Sequence, residues 1–211
     1  VLSPDHKHEP SLVSATLDQR VRRLEFYMHA VRCAAELGSD CVSLWSGTLR
    51  QPIPPGEAMT RLASDLGDLA NYAAASGVAL GFEPEPGMLI DSMARFQELL
   101  ALVDAPNLKL TLDVGHLQCQ GETPIAEQVR RWGPRLVNVH LEDMRRGRHE
   151  HLMFGEGEID FPPVLQALAQ VGYQGGVHVE LSRHSHEAPD AARKAYAFLQ
   201  PLIERIGSTH G

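Results

Sequence analysis

The feature that most restricts what this chain can fold into is a regular alternation of two hydrophobic periods. Asp18 to Leu37 carries Val21, Leu24, Met28, Val31 and Ala35 at helical spacing and stops at Gly38, after which "CVSLWSG" reads as a short buried strand. Pro54-Pro55 opens a second helix, Gly56 to Ser76, which ends at Gly77 and is followed by "VALGFEPE". The pattern then recurs three times. A helix over Ser92 to Val103 precedes "LKLTLDVG", one over Pro124 to Trp132 precedes "RLVNVHLED", and one over Phe161 to Gln170 precedes "GGVHVELS". A last helix, Asp190 to Ile206, follows.

Strands that are apolar along their whole length are covered by helices on both faces, which indicates an α/β class with parallel strands. Two architectures satisfy that pattern, an open doubly wound sheet and a (β/α)8 TIM barrel. Glu83, Asp113, His140 and Glu180 stand at the carboxyl ends of successive strands, and barrel active sites are assembled from several strand ends in this way. An open sheet would concentrate such residues at one switch point. No Gly-x-Gly-x-x-Gly turn or Gly-Lys-Ser loop follows a strand, so a nucleotide-binding sheet has no support. The expectation is a (β/α)8 TIM barrel in a single domain over 1–211, N-terminally truncated, with about five strands present. The opening "VLSPDHKHEP" is loop-like and leaves at most Val1-Leu2 of a third strand. An open barrel edge exposes unpaired backbone and apolar surface, so the fragment alone is expected either to be unstable or to pair with another chain, as in a homo-oligomer.

Composition removes several classes. No apolar run approaches the ~18 residues of a spanning helix, and no charged-then-apolar leader is present, so a cytoplasmic protein with no membrane partner is expected. The net charge of −8 disfavours a phosphate backbone as partner, hence no nucleic acid. Cys33, Cys41 and Cys119 form no Cys-x-x-Cys pair and read as buried small hydrophobes.

Three carboxylates and an imidazole converging on one mouth would repel one another unless a cation neutralised them. Oxygen-rich ligation with one nitrogen suits Mn²⁺ or Mg²⁺, with Co²⁺ and Zn²⁺ as further choices, rather than a structural zinc site. His116, one turn past Asp113, is either a packed ring or a group on the substrate side. Arg146, Arg148, His149 and His151 form a grip for an anionic group or a solvated basic loop. Trp45 is either a platform for a sugar face or a core aromatic. Glu85, Glu142 and Asp143 read as loop charges or as carboxylates beside the ligands.

The ordered segments "GFEPEPG", "LTLDVGH", "VNVHLED", "HLMFGEGEIDFPPVLQAL" and "VHVEL" resemble the xylose-isomerase-like TIM-barrel superfamily of sugar phosphate isomerases and epimerases, from about Arg20 to the end. That superfamily includes D-tagatose 3-epimerase, hydroxypyruvate isomerase and, more distantly, the apurinic endonucleases. The resemblance implies that Glu83, Asp113, His140 and Glu180 hold one divalent metal ion. It implies also that Glu83 and Glu180 exchange protons with substrate, that His116 contacts substrate oxygens and that Arg146 binds the sugar. The activity implied is that of a metal-dependent isomerase or epimerase acting on a carbohydrate, or a related polyol or keto acid, through a metal-stabilised enediolate. A second reading follows from His149 and His151, which stand where the endonucleases carry an Asp-x-His metal pair: a metal-dependent phosphodiester hydrolase. Against it, "CVSLWSG" offers no histidine where that branch places one. A non-catalytic degenerate barrel is the third reading.

Overall fold

The computed structural model describes Leu2, His6 and residues 8–208, with 207 and 208 as backbone only. Val1, at which a strand remnant is expected, lies outside the described residues, and Leu2 belongs to no strand. The chain divides into two compact units, Val1–Thr111 and Leu112–Gly211, and the division falls inside one strand.

In the first unit α1 (Leu17–Leu37) starts where the Thr16 side chain accepts from Gln19 N and stops at Gly38, whose left-handed φ of 67° lets its N–H return to the last turn. It leads into β1 (Cys41–Leu44), α2 (Pro55–Ala75) and β2 (Ala79–Phe82). A Ser92 cap then starts α3 (Met93–Leu100) ahead of β3 (Leu108–Asp113). β1 and β2 pair in parallel from Cys41↔Ala79 to Leu44↔Phe82, and β2 pairs in parallel with β3 from Leu80↔Leu108 to Phe82↔Leu110. Leu62, Leu66, Leu69, Ala70 and Ala73 give α2 one buried stripe, and the Phe82 and Phe96 rings stack 5.6 Å apart. Gly81 on the intervening strand carries no side chain, and the hydroxyls of Ser43 and Thr111 meet at 2.7 Å.

The second unit runs through α4 (Val114–Gln120), α5 (Ile125–Trp132), β4 (Leu136–Leu141) and the antiparallel hairpin β5 (Asp143–Arg145) and β6 (Arg148–Leu152). It continues with α6 (Phe161–Gln170), β7 (Gly176–Val179) and α7 (Ala188–Ser208). β4 and β7 pair in parallel, with Asn138 opposite Gly176 and His140 opposite His178. Phe154, Phe161 at the start of α6 and Phe198 of α7 form one aromatic cluster.

All five expected strands and all six expected helices are present, within a few residues of the anticipated ends. Two elements depart from the expectation. α4 has seven residues, too few to display a helical period, and the hairpin is rich in charged residues and histidines that read as a basic loop. Among the described residues no helix is long and apolar enough to cross a membrane.

Candidate active site

In the first unit the parallel ladder runs one residue past β2, since Glu83 N donates to Leu44 O at 2.8 Å. Glu83 therefore stands at the carboxyl end of β2, and it is buried. Trp45, at the corresponding end of β1, packs against the Arg23 guanidinium, 5.1 Å from its ring centre, and edge-on to His8.

In the second unit Asp113 performs two tasks. Its Oδ1 accepts from His116 N at 2.8 Å, capping α4 at the point where β3 ends. Its Oδ2 is buried and has no hydrogen-bond partner. His140 Nδ1 lies 3.7 Å from that oxygen and 2.9 Å from Glu180 Oε2, while His140 Nε2 is 3.0 Å from the Asn138 amide nitrogen. Asn138 and His140 alternate on one face of β4, so the amide steadies the ring that lies between the two carboxylates. Burial favours a neutral Asp113, yet the nearby charge of His116 and the adjacent His140 ring outweigh it and hold the carboxyl well below its usual range. The His140 hydrogen bond likewise lowers Glu180. Both carboxylates are thus ionised, and their ligand atoms and that of His140 lie within 4.8 Å of one another. An orphaned anionic oxygen beside a second carboxylate and an imidazole suits an oxygen-rich divalent-cation site.

Glu142 follows His140 by two residues and is completely buried with neither carboxyl oxygen hydrogen-bonded. Burial, then the charge of Asp113, pushes its carboxyl well above the usual range, so it is the neutral member of the group. A Cβ on Gly115 would stand 1.9 Å from Glu142 Oε1, which explains the glycine in "DVGH". Gly115→Ala is expected to displace that carboxyl and to cost about 1–3 kcal/mol in urea unfolding.

The hairpin is fixed by Asp143. Its Oδ1 accepts from Met144 N at 3.0 Å and Ile159 N at 3.1 Å, and its Oδ2 accepts from Gly155 N at 2.9 Å. A Cβ on Gly157 would approach Oδ1 to 2.2 Å, so the "FGEGEID" segment is shaped around this one carboxylate. The anchored β6 brings His149 Nε2 to 3.1 Å from His116 Nε2, and His116, His149 and His151 each offer a ring nitrogen within 4.8 Å of the others.

Of the expected residues in the second unit, the structure brings Asp113, His140 and Glu180 together and sets His116 beside them, with its Nε2 3.9 Å from Asp113 Oδ2. His151 joins His116 through the hairpin. Arg146 is exposed and its guanidinium rests against Gly121, while Arg148 and Arg183 both pair with Glu150. The basic run is therefore partly neutralised. Sequence reasoning missed Asn138 and the clamping role of Asp143. The alternation in "VNVHLED", which puts Asn138, His140 and Glu142 on one face, is the signal that finds the first.

Residues 6–202 match the family described as xylose isomerase-like TIM barrel. An uncharacterised protein of Methanocaldococcus jannaschii is 30% identical over 94% of this chain and 71% of its own length. The inosose dehydratase of Clostridium botulinum is 27% identical over 73% of this chain, which spans 59% of that enzyme. Among solved structures, a D-tagatose 3-epimerase-like protein superimposes with a TM-score of 0.79 at 26% identity, covering 95% of this chain and 76% of its own.

Proposed function

Because the chain belongs to the xylose isomerase-like TIM barrel family, we propose that it is a metal-dependent enzyme that moves a proton next to a carbonyl in a small carbohydrate, as an isomerase or epimerase. The observation that carries this reading is the grouping of Asp113, whose buried Oδ2 has no hydrogen-bond partner, with His140 and Glu180, their ligand atoms within 4.8 Å of one another. Glu83, the fourth strand-end residue, completes the proposed ligand set. A divalent ion held by these four residues, Mn²⁺ or Mg²⁺ by the chemistry of the donors, would supply Lewis-acid stabilisation of an enediolate.

The remaining work falls to side chains. Glu180, half-buried and ionised, is fitted to take a proton from carbon, and Glu83 to return one from the opposite face; substrate chirality decides which acts first. His116 offers a ring nitrogen to a substrate oxygen. Trp45 and Arg146 enter as weaker candidates for substrate contact, since the first packs on Arg23 and the second on Gly121. The likeness to inosose dehydratase puts a polyol-derived ketone among the first substrates to try, and with it loss of water as the outcome after proton removal.

The test is a panel of ketoses, inososes and hydroxypyruvate incubated in deuterated water with Mn²⁺, Mg²⁺ or Co²⁺. Solvent deuterium is expected in at least one recovered substrate or product, and its absence from all of them would remove the proton-transfer reading.

A further inference from the structure

Arg23 on α1 is buried, at 4% exposure, yet among the described residues no carboxylate pairs with it. Arg20 on the same helix, by contrast, has Asp65 at 3.1 Å. A cation this deep is costly unless its donors are met. Main-chain and aromatic groups meet them here. Nε donates to Pro10 O at 2.6 Å and Nη2 donates to His8 O at 3.1 Å. The guanidinium carbon lies 5.1 Å from the centre of the Trp45 ring, 5.2 Å from that of Phe26 and 5.4 Å from that of Tyr27. What the arginine adds over an apolar side chain of that size is direction, since its planar fork ties two carbonyls and an indole to one another.

Everything so tied lies at the carboxyl end of β1, within the first unit. The β1–β2 register sets Leu44 opposite Phe82, and Glu83 N donates to Leu44 O, so Trp45 and Glu83 leave adjacent parallel strands side by side. Ser43 and Trp45 on one strand and Gly81 and Glu83 on the other occupy alternate positions of one face. The stretch that follows Pro10 is pressed against the same strand end. Ser11, Leu12 and Val13 are buried, and a Cβ on Gly47 would stand 2.3 Å from Ser11 Cβ. His8, whose carbonyl Arg23 holds, meets the Trp45 ring edge-on with 4.7 Å between ring centres.

We infer that Arg23 is a positioning residue: it locks the Trp45 indole and the His8–Pro10 main chain into one rigid wall beside Glu83. The consequence for turnover rests on the reading given above, in which Glu83 exchanges a proton with substrate. The lock itself does not. A fixed wall allows the carbon skeleton one placement against the Glu83 carboxylate, whereas a loose wall allows several and weakens each. Such a wall touches substrate equally before and during proton transfer, so its loss acts on KM rather than on kcat.

The experiment uses the full chain labelled with fluorotryptophan, as wild type and as Arg23→Met and Arg23→Lys, followed by fluorine NMR. Trp45 and Trp132 are its two tryptophans, so one signal reports on the wall and the other, from the second unit, on the fold. Trp132→Phe assigns them. In the wild type the Trp45 signal is expected to be single and narrow. Arg23→Met keeps the stem and removes the fork, and should move and broaden that signal with Trp132 in place; Arg23→Lys keeps a cation with one donor direction and should recover part of the change. An unmoved Trp45 signal in Arg23→Met would overturn the inference. If the Trp132 signal shows that Arg23→Met does not fold, Arg23→Lys decides: a partly displaced Trp45 signal supports the lock and an unmoved one overturns it. With a substrate from the panel above, KM should rise about tenfold in Arg23→Met with kcat within about twofold. A lower kcat at unchanged KM, the mark of fewer folded molecules, would overturn the role at the substrate. The fluorine spectra need no substrate, so a failed panel leaves the lock testable, and an unmoved Trp45 signal leaves the proton-transfer reading standing.

Discussion

Asp113→Asn is expected to abolish stoichiometric divalent-metal binding and to lower turnover by roughly a thousandfold or more. The buried Oδ2 with no partner lies 3.7 Å from His140 Nδ1 and would be replaced by an amide, which lacks the charge that a hard cation requires. Several kcal/mol of lost charge stabilisation in the transition state corresponds to about three decades in rate. The substitution is informative because asparagine caps a helix as well as aspartate does, so the bond to His116 N is retained and the start of α4 stays intact. Elemental analysis of the purified variant, together with an unchanged melting temperature, separates loss of the ion from loss of the fold. His116→Ala should separate the two effects, keeping the ion while losing turnover.

Asp143→Ala is expected to destabilise the protein by about 3–5 kcal/mol. Three backbone N–H groups, of Met144, Gly155 and Ile159, lose their acceptor at once, and each orphaned donor costs about 1–3 kcal/mol, with less than full additivity because they share one carboxylate. Asp143 is itself buried, so solvent cannot substitute readily for the missing oxygens. The expected readout is a fall in the urea midpoint with the slope retained. Asp143→Asn should cost less, since its remaining carbonyl oxygen still accepts one or two of the bonds. An Asp143→Ala protein as stable as the wild type would show that the hairpin is held by something else.

How far the sequence discloses this arrangement depends on the range of the interactions. The helices and parallel strands follow from periodicity, because burial along each element leaves its mark every two or every three to four residues, as Leu62, Leu66, Leu69 and Ala73 do in α2. Asp113, His140 and Glu180 are legible for a related reason, since each stands at the end of an apolar run and the repetition of that position is itself the signal. Glu142 is not. It looks like a loop charge in "HLED", and only the packing of Gly115 against its carboxyl reveals a buried, neutral acid. Asp143 is hidden likewise, because its three partners are backbone groups up to 16 residues away, and a backbone N–H has no letter in the sequence. The basic run at Arg145 to Arg148 conveys charge but not its neutralisation, which comes from Glu150 on the same hairpin, a carboxylate that Arg183 beyond β7 also pairs with.

That last ion group links two segments of the second unit. Arg183 follows Glu180 by three residues, and its pairing with Glu150 ties the stretch carrying one proposed base to the strand carrying His149 and His151. The arginine side chains of the group are more than half exposed, at 66% for Arg148 and 58% for Arg183, whereas Glu150 is largely covered at 16%. Dissolved ions therefore reach the positive partners and screen them, while the interior contacts of Asp113 and His140 remain out of their reach. Ionic strength should act on this protein as a selective lever: moderate salt loosens the tie between the two segments and raises the spread of Glu180 positions, with the metal ligands on β3 and β4 and the core of the unit left as they are.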